Sequence, residues 1–288
     1  MVCGRLSDAN LCVSEAMKSN LRRLFQIDAN VFYDRPPAWK FCEKTLEEIH
    51  NVYSALATEE KYKVLSPNGN PDETLITERV NGVVKYRADR PLLLFSSTSW
   101  TPDENFGILF DALVEYNALV ELSDDRLPRL LVLITGKGPL KEHYLSQISE
   151  KQMRFVDVVS PWLAAEDYPT IVASADLGVS LHTSTSGLDL PMKVVDMFGA
   201  RRPVLAKNFR CISELVKESE NGNLFDSSDQ LTQLLVDLAE GFPEESRLNK
   251  LKKNVLEMKF ETWEEMWEKT AAPTLLLDQN QKETKKNN

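Results

Sequence analysis

Ala175-Asp-Leu-Gly-Val-Ser-Leu181, His182-Thr-Ser-Thr-Ser-Gly-Leu-Asp-Leu-Pro191 and Met192-Lys-Val-Val-Asp-Met-Phe-Gly199 follow one another and lead into Pro203-Val-Leu-Ala206. The first piece is continuous enough in apolar residues to be a strand covered on both faces. The second is a polar, Gly-containing loop. Lys193 to Phe198 reads as a helix and Pro203 to Ala206 as the next strand, so together they form one strand–loop–helix–strand unit. Upstream, Leu92–Phe95, Leu130–Ile134 and Phe155–Val159 are further buried strands. Phe106, Leu109, Phe110, Leu113 and Val120 recur at helical spacing, with Asp103 as the expected cap. Downstream, Cys211–Lys217 and Asp229–Glu240 read as helices. Strands alternating with helices imply parallel pairing and right-handed crossovers. The fold class is therefore α/β, a Rossmann-like parallel sheet over residues 91–246.

Outside that domain the pattern weakens. Residues 9–13 and 31–33 read as short strands around a helix, Glu15–Phe25, with Ser14 at its N-cap. This unit, within residues 1–42, is too small to hold a core and looks like the end of something larger. Residues 43–90 are polar and poorly periodic and read as a connector, apart from a helix over Glu43–Ala57. Residues 247–272 read as terminal helices and 273–288 as a frayed tail.

Composition narrows the partners. The chain has 288 residues and a formal net charge of −10. That balance argues against a nucleic-acid backbone as the main partner, which needs a basic surface. The four cysteines, Cys3, Cys12, Cys42 and Cys211, form no CxxC pair, and with three histidines there is no zinc-like spacing. The cysteines read as reduced, and no metal site is expected. No apolar run reaches the roughly 18 residues of a membrane span, and the N-terminus lacks a signal-peptide h-region.

In an open parallel sheet, ligands bind beyond the carboxyl ends of the strands. Four segments lie there. Ser97, Thr98 and Ser99 offer hydroxyls to phosphate or sugar oxygens, or simply cap a turn. Gly136-Lys137-Gly138 lets backbone N–H groups approach an anion at the start of a helix, with Lys137 adding charge. The spacing is neither a P-loop nor GxGxxG. Trp162 either closes a base pocket or belongs to the core. In the loop quoted first, His182, Ser184, Thr185, Ser186, Gly187, Leu188 and Asp189 can wrap a diphosphate. Lys193 can neutralise it, and Asp196, three residues on, can accept both hydroxyls of a ribose. The plainer alternative is a surface loop with a Lys193–Asp196 ion pair.

The pattern Leu-Pro-x-Lys-x-x-Asp-x-x-Gly-x-x-x-Pro-Val over Leu190–Val204 resembles the donor-site signature of GT-B glycosyltransferases. Ser96-Ser-Thr-Ser-Trp-Thr-Pro-Asp-Glu104, Ile134-Thr-Gly-Lys-Gly-Pro-Leu140, Pro161-Trp-Leu-Ala-Ala-Glu-Asp-Tyr-Pro169 and His182 to Gly199 resemble the chitobiosyldiphosphodolichol β-mannosyltransferase family. The resemblance runs from residue 4 to about 268. It implies the C-terminal donor domain of a GT-B enzyme, with residues 1–42 as a remnant of the N-terminal acceptor domain. It implies GDP-mannose as donor substrate, no bound cofactor, and a β-1,4-mannosyl transfer with inversion to GlcNAc₂-diphosphate-dolichol on the cytosolic face of the endoplasmic reticulum. The implied partners are the nucleotide sugar, the dolichol-linked chitobiose and other dolichol-pathway glycosyltransferases. The family's membrane helix and most of its acceptor domain have no counterpart here, so the catalytic base is expected outside this sequence. A catalytically silent domain that binds GDP-mannose or pathway partners is the alternative. A retaining GT-B enzyme is disfavoured, because its usual Glu positions hold Ser186 and Val194.

Overall fold

The structure, a computed structural model, describes residues 2–124 and 126–275. Of the expected tail, residues 276–288 lie outside the described part. The chain opens with α1 (Val2–Leu6), β1 (Leu11–Cys12), α2 (Glu15–Phe25) and β2 (Asn30–Val31). β1 and β2 pair in parallel. As the sequence suggests, Ser14 caps α2 by accepting from the Met17 N–H at 2.9 Å. A distant carboxylate adds to this cap: Glu214 accepts from the Glu15 and Ala16 N–H groups at 2.8 and 2.9 Å. A negative group at a helix N-terminus is favoured by the peptide dipoles.

Residues 43–90 differ from the loose connector expected. They form α3 (Leu46–Leu56), a 3₁₀ turn over Glu60–Leu65, and a hairpin of β3 (Thr77–Val80) and β4 (Val83–Tyr86). Thr45 and Glu48 close a capping box on α3. Ile49, Tyr53 and Leu56 fall on one helical face and are buried in the cluster that holds Phe95, Val194 and Phe198. The Tyr53 hydroxyl meets Ser174 Oγ at 2.9 Å. At the hairpin tip Asn81 and Gly82 both have positive φ, 52° and 78°, which suits the Asn-Gly pair to a tight turn.

The main sheet is built from β5 (Leu92–Ser97), β6 (Leu130–Thr135), β7 (Val156–Val159), β8 (Leu177–Ser180), β9 (Val204–Lys207) and β10 (Gly222–Phe225). Their order is β10-β9-β8-β5-β6-β7, with every pairing parallel. The helices between them are α4 (Phe106–Glu121), α5 (Lys141–Ser149), α6 (Tyr168–Ser174), α7 (Met192–Gly199) and α8 (Ser228–Ala239). Leu93, Phe95, Leu131 and Leu133 face one cluster; Leu92, Leu94, Leu130 and Val132 face the other. Burial on both faces explains the unbroken apolar runs. This is the doubly wound order, and the direction of winding reverses between β5 and β8.

Local readings differ in three places. β10 was not foreseen, because Asn221-Gly-Asn223 reads as a turn rather than a strand. Cys211–Lys217 is a single 3₁₀ turn over Ile212–Glu214, not a full helix. α4 is capped by Asn105, which accepts from the Gly107 N–H at 3.0 Å, not by Asp103, whose chain position lies too far upstream of the first helical turn. At the amino end of the sheet, Arg90 and Lys252, the latter on α9 (Arg247–Glu257), both reach buried Asp176, with contacts of 2.5–2.9 Å. Burial alone would raise that carboxyl; the Lys252 and Arg90 charges hold it well below the usual range. α10 (Trp263–Met266) and a π turn follow.

The buried role of residues 43–90 has a direct check. Tyr53→Ala should lower unfolding free energy by about 3–5 kcal/mol, as for a fully buried aromatic, measured by denaturant titration. A change within about 0.5 kcal/mol, typical of surface positions, would mean the segment is peripheral after all.

Candidate functional site

The loops that leave β5 and β8 meet at the reversal point. Glu104 and His182 form a short backbone bridge there, and the Thr183 hydroxyl donates to the Asp103 carbonyl at 3.0 Å. The Glu104 side chain is buried. Its Oε2 accepts from the Thr98 hydroxyl and, at 3.0 Å, from the Ser99 N–H; its Oε1 lies 2.8 Å from Lys193 Nζ. One carboxylate therefore gathers side chains from β5's loop and from α7. A charge at that depth costs several kcal/mol unless it is paired and hydrogen-bonded.

A cavity of about 290 Å³ opens beside it, lined by Ser99, Asp103, Glu104, His182, Asp189 and Lys193. His182 Nδ1 lies 3.9 Å from Asp103 Oδ2. The following loop is latched on itself. Asp189 accepts from the Ser184 hydroxyl and, at 2.9 Å, from Ser186; Ser184 Oγ accepts from the Gly187 N–H at 2.9 Å. Burial would raise the Asp189 carboxyl, but the Ser184 and Ser186 hydrogen bonds outweigh it and hold it below the ordinary value. The Leu188 carbonyl accepts from the Ser14 hydroxyl, which ties the loop to the N-terminal unit. No side chain caps α7, so its first backbone N–H groups and dipole remain for an anion.

The glycines after β6 are required by close packing. A Cβ on Gly136 would lie 1.8 Å from the Thr98 carbonyl oxygen, and one on Gly138 would lie 1.7 Å from that of Ser99. They press the loop after β6 against the loop after β5. Beyond them, the Lys137 ammonium sits 3.6 Å from the centre of the Trp162 ring. Trp162 is 55% exposed, so it is not a core residue.

Sequence reasoning grouped Lys193 with Asp196. In the structure Lys193 turns to Glu104, and Asp196 lies apart from the small cavity. Burial pushes the Asp196 carboxyl up to about 6, against the pull of the Lys40 charge and the Tyr168 hydroxyl. Tyr168 donates to Ser97 Oγ at 3.2 Å. The candidates thus fall along the carboxyl edge in three groups. His182, Ser99, Asp189 and Lys193, with Glu104, stand at the reversal point. Ser97 and Asp196, with Tyr168, form the second group, and Lys137 and Trp162 the third. Glu104 was missed as a functional residue, because its partner Lys193 is 89 positions away. Its only signal was membership of the run Ser96–Glu104. Among the described residues, no group of three or more His, Cys, Asp or Glu is placed to hold a metal ion. No helix there is long and apolar enough to cross a membrane.

A cleft of hydroxyls, a helix N-terminus and a lysine at the reversal point of a doubly wound sheet offers donors to an anionic ligand. A family model described as "Glycosyl transferases group 1" matches residues 90–240, and the chain belongs to that family. More particularly, it is 45% identical over 279 residues to the chitobiosyldiphosphodolichol beta-mannosyltransferase of Pongo abelii and 44% identical to that of Homo sapiens, matching 95% of this chain and 60% of each relative. It is also 42% identical over 294 residues to the protein named UDP-glycosyltransferase TURAN of Arabidopsis thaliana, matching 94% of this chain and 63% of that one. The chain thus spans about 60% of the length of these relatives. Among solved structures, Anabaena Alr3699/HepE in complex with UDP and glucose superposes with a TM-score of 0.62 at 14% identity, over 93% of this chain and 63% of that one. WaaG, a glycosyltransferase involved in lipopolysaccharide biosynthesis, gives 0.57 at 12% identity, over 92% of this chain and 62% of that one. These two likenesses bear out the GT-B fold expected from the sequence.

The Lys193–Glu104 pair yields a measurable coupling. Lys193→Met leaves a buried carboxylate without its cation and should cost about 3 kcal/mol of stability. Adding Glu104→Gln should restore part of that loss. Strict additivity of the two changes in a double-mutant cycle would show that the pair is not energetically linked.

Proposed function

We propose that this chain is the donor-binding part of an inverting β-1,4-mannosyltransferase, which moves mannose from GDP-mannose to GlcNAc₂-diphosphate-dolichol. The observation that carries this reading is the likeness, along nearly the whole chain, to proteins named for that transfer. The cleft at the reversal point of the sheet supports this reading. The diphosphate lies between the Ser99 and His182 loops and the N-terminus of α7, the ribose at Asp196, and the base toward Trp162. The lipid-linked acceptor implies work at the endoplasmic reticulum membrane.

In the reaction, the acceptor hydroxyl oxygen attacks the anomeric carbon on the face opposite the diphosphate. The bond from that carbon to the β-phosphate oxygen breaks, and GDP departs with the electron pair. A general base takes the hydroxyl proton; we assign it to no residue of this chain. Lys193 and the free N–H groups of α7 stabilise charge that develops on the leaving diphosphate. Glu104 fixes Lys193 in place before the donor arrives, so little reorganisation is needed at the moment of transfer. The Asp189 latch on Ser184 and Ser186 fixes the course of the Ser184–Asp189 loop beside the same oxygens.

Calorimetry should show GDP-mannose binding well ahead of UDP-GlcNAc; preference for UDP-GlcNAc, or no binding, contradicts the donor reading. Ionisation of Asp196 adds a pH test. Its folded pKa lies above the ordinary carboxylate value, so ionisation opposes folding; that cost is present above pH 6 and is relieved as pH falls below it. A ribose diol prefers the carboxylate form as acceptor, so GDP affinity should fall as pH drops through about 6, by up to roughly tenfold per unit. Asp196→Asn should flatten that dependence. An unchanged profile in the variant would remove Asp196 from the ribose site.

A further inference from the structure

A second cavity, about 620 Å³, opens at the β7 end of the same sheet edge, lined in part by Tyr62, Lys141, Ser160 and Trp162. Its polar groups are not explained by the fold. Lys141 Nζ lies 3.3 Å from the Ser160 carbonyl and 3.5 Å from the Gly136 carbonyl, while its nearest acidic neighbour makes no salt bridge with it among the described residues. Burial lowers the Lys141 pKa; the Glu142 charge opposes that shift, and the Lys61 and Lys137 charges add to it. The Ser160 hydroxyl is buried without a hydrogen-bond partner among the described residues, an arrangement that folded proteins seldom leave unmet. The Tyr62 hydroxyl donates to the Ser160 carbonyl at 3.4 Å and accepts from the Trp162 N–H at 3.3 Å, which fixes the wall of the cavity.

From this cluster we infer that Lys141 is a specificity-determining residue that reads guanine in the bound nucleotide. The inference rests on the donor reading above. Guanine presents an acceptor, O6, followed by two donors, N1–H and N2–H. The cavity presents the complement. Lys141 has a third N–H to give O6, since an ammonium carries three donors and two are spent on carbonyls. The Gly136 carbonyl keeps a second lone pair for a base N–H, and the orphaned Ser160 hydroxyl offers a further acceptor. The Trp162 ring supplies a flat surface against which a base can stack once Lys137 moves aside toward the phosphates. Adenine fails this test at its first position, where its amino group would point two donors at an ammonium. Uracil matches the first two positions but has the acceptor O2 in place of the third donor, so it gives the Gly136 carbonyl and the Ser160 oxygen one N–H between them where guanine gives two. Inosine keeps O6 and N1–H and lacks only the amino group.

The test is equilibrium binding of GDP, IDP, UDP and ADP to the wild-type chain, to Lys141→Met and to Lys141→Arg, with a thermal melt on each. The wild type should prefer GDP over IDP, and IDP over ADP. Lys141→Met should lose roughly tenfold or more in GDP and IDP affinity, the loss of one charge-assisted hydrogen bond, with ADP unchanged. The GDP-to-ADP ratio then collapses, which a merely structural role for Lys141 would not produce. Lys141→Arg, which keeps a charged donor, should retain most of the ratio. If Lys141→Met keeps the wild-type ratio, the Lys141 assignment is overturned while the donor reading stands. Equal affinity of the wild type for UDP and GDP overturns the donor reading together with it.

Discussion

The buried carboxylate of Glu104 is the constraint from which the site follows. Charge at that depth must be satisfied on both oxygens. The Thr98 hydroxyl and the Ser99 N–H satisfy one, and Lys193 the other. That requirement draws the loop after β5 and the first turn of α7 together, across the boundary where the sheet reverses its winding. The reversal itself creates the crevice, because the connections on either side leave in opposite directions. Glu104 sets its width and fixes the position of its cation.

The neighbouring loops are held by the same economy of contacts. Gly136 and Gly138 exist as glycines because the Thr98 and Ser99 carbonyls occupy the space of any side chain. The loop before α7 is closed by Asp189 and its serines and reached from outside by Ser14. Glu214 fixes the N-terminus of α2 and also accepts from Tyr33 at 3.0 Å. The short N-terminal unit is therefore joined to the loop before α7 at the Leu188 carbonyl and to the 3₁₀ turn over Ile212–Glu214 at Glu214. Movement of that unit would be felt at the Leu188 carbonyl and at the 3₁₀ turn carrying Glu214. The site is thus pre-organised on its sheet side.

Much of the fold was legible. Leu92–Phe95 and Leu130–Ile134 are apolar without interruption because helices cover both faces of their sheet, and that pattern survives in one dimension. β10 was not legible, since Asn221-Gly-Asn223 has turn-forming residue types and Phe225 is the one large apolar side chain of the strand that is deeply buried. The segment 43–90 misled for a different reason. Its charged residues dominate the composition, while its core contribution comes from a few residues at helical spacing, Ile49, Tyr53 and Leu56. The hairpin was announced by Asn81-Gly82 and went unread. At the site, residue types and their order along the edge could be read, but pairing could not. Lys193 and Asp196 look like partners at i,i+3, yet tertiary packing gives Lys193 to Glu104 and leaves Asp196 among Tyr168 and Lys40. Pairing is set by which loops the sheet order brings together, and that is not a local property.

A nucleotide bound along the carboxyl edge of the sheet would cross the β8–β5 reversal. Amide hydrogen exchange with and without saturating GDP tests this placement most directly. Bound GDP should slow exchange at Ser97–Ser99, Gly136–Gly138, Thr183–Asp189 and the first turn of α7, with α9 and the β3–β4 hairpin unchanged. Protection confined to other surfaces, or none at any of these four segments, would contradict it.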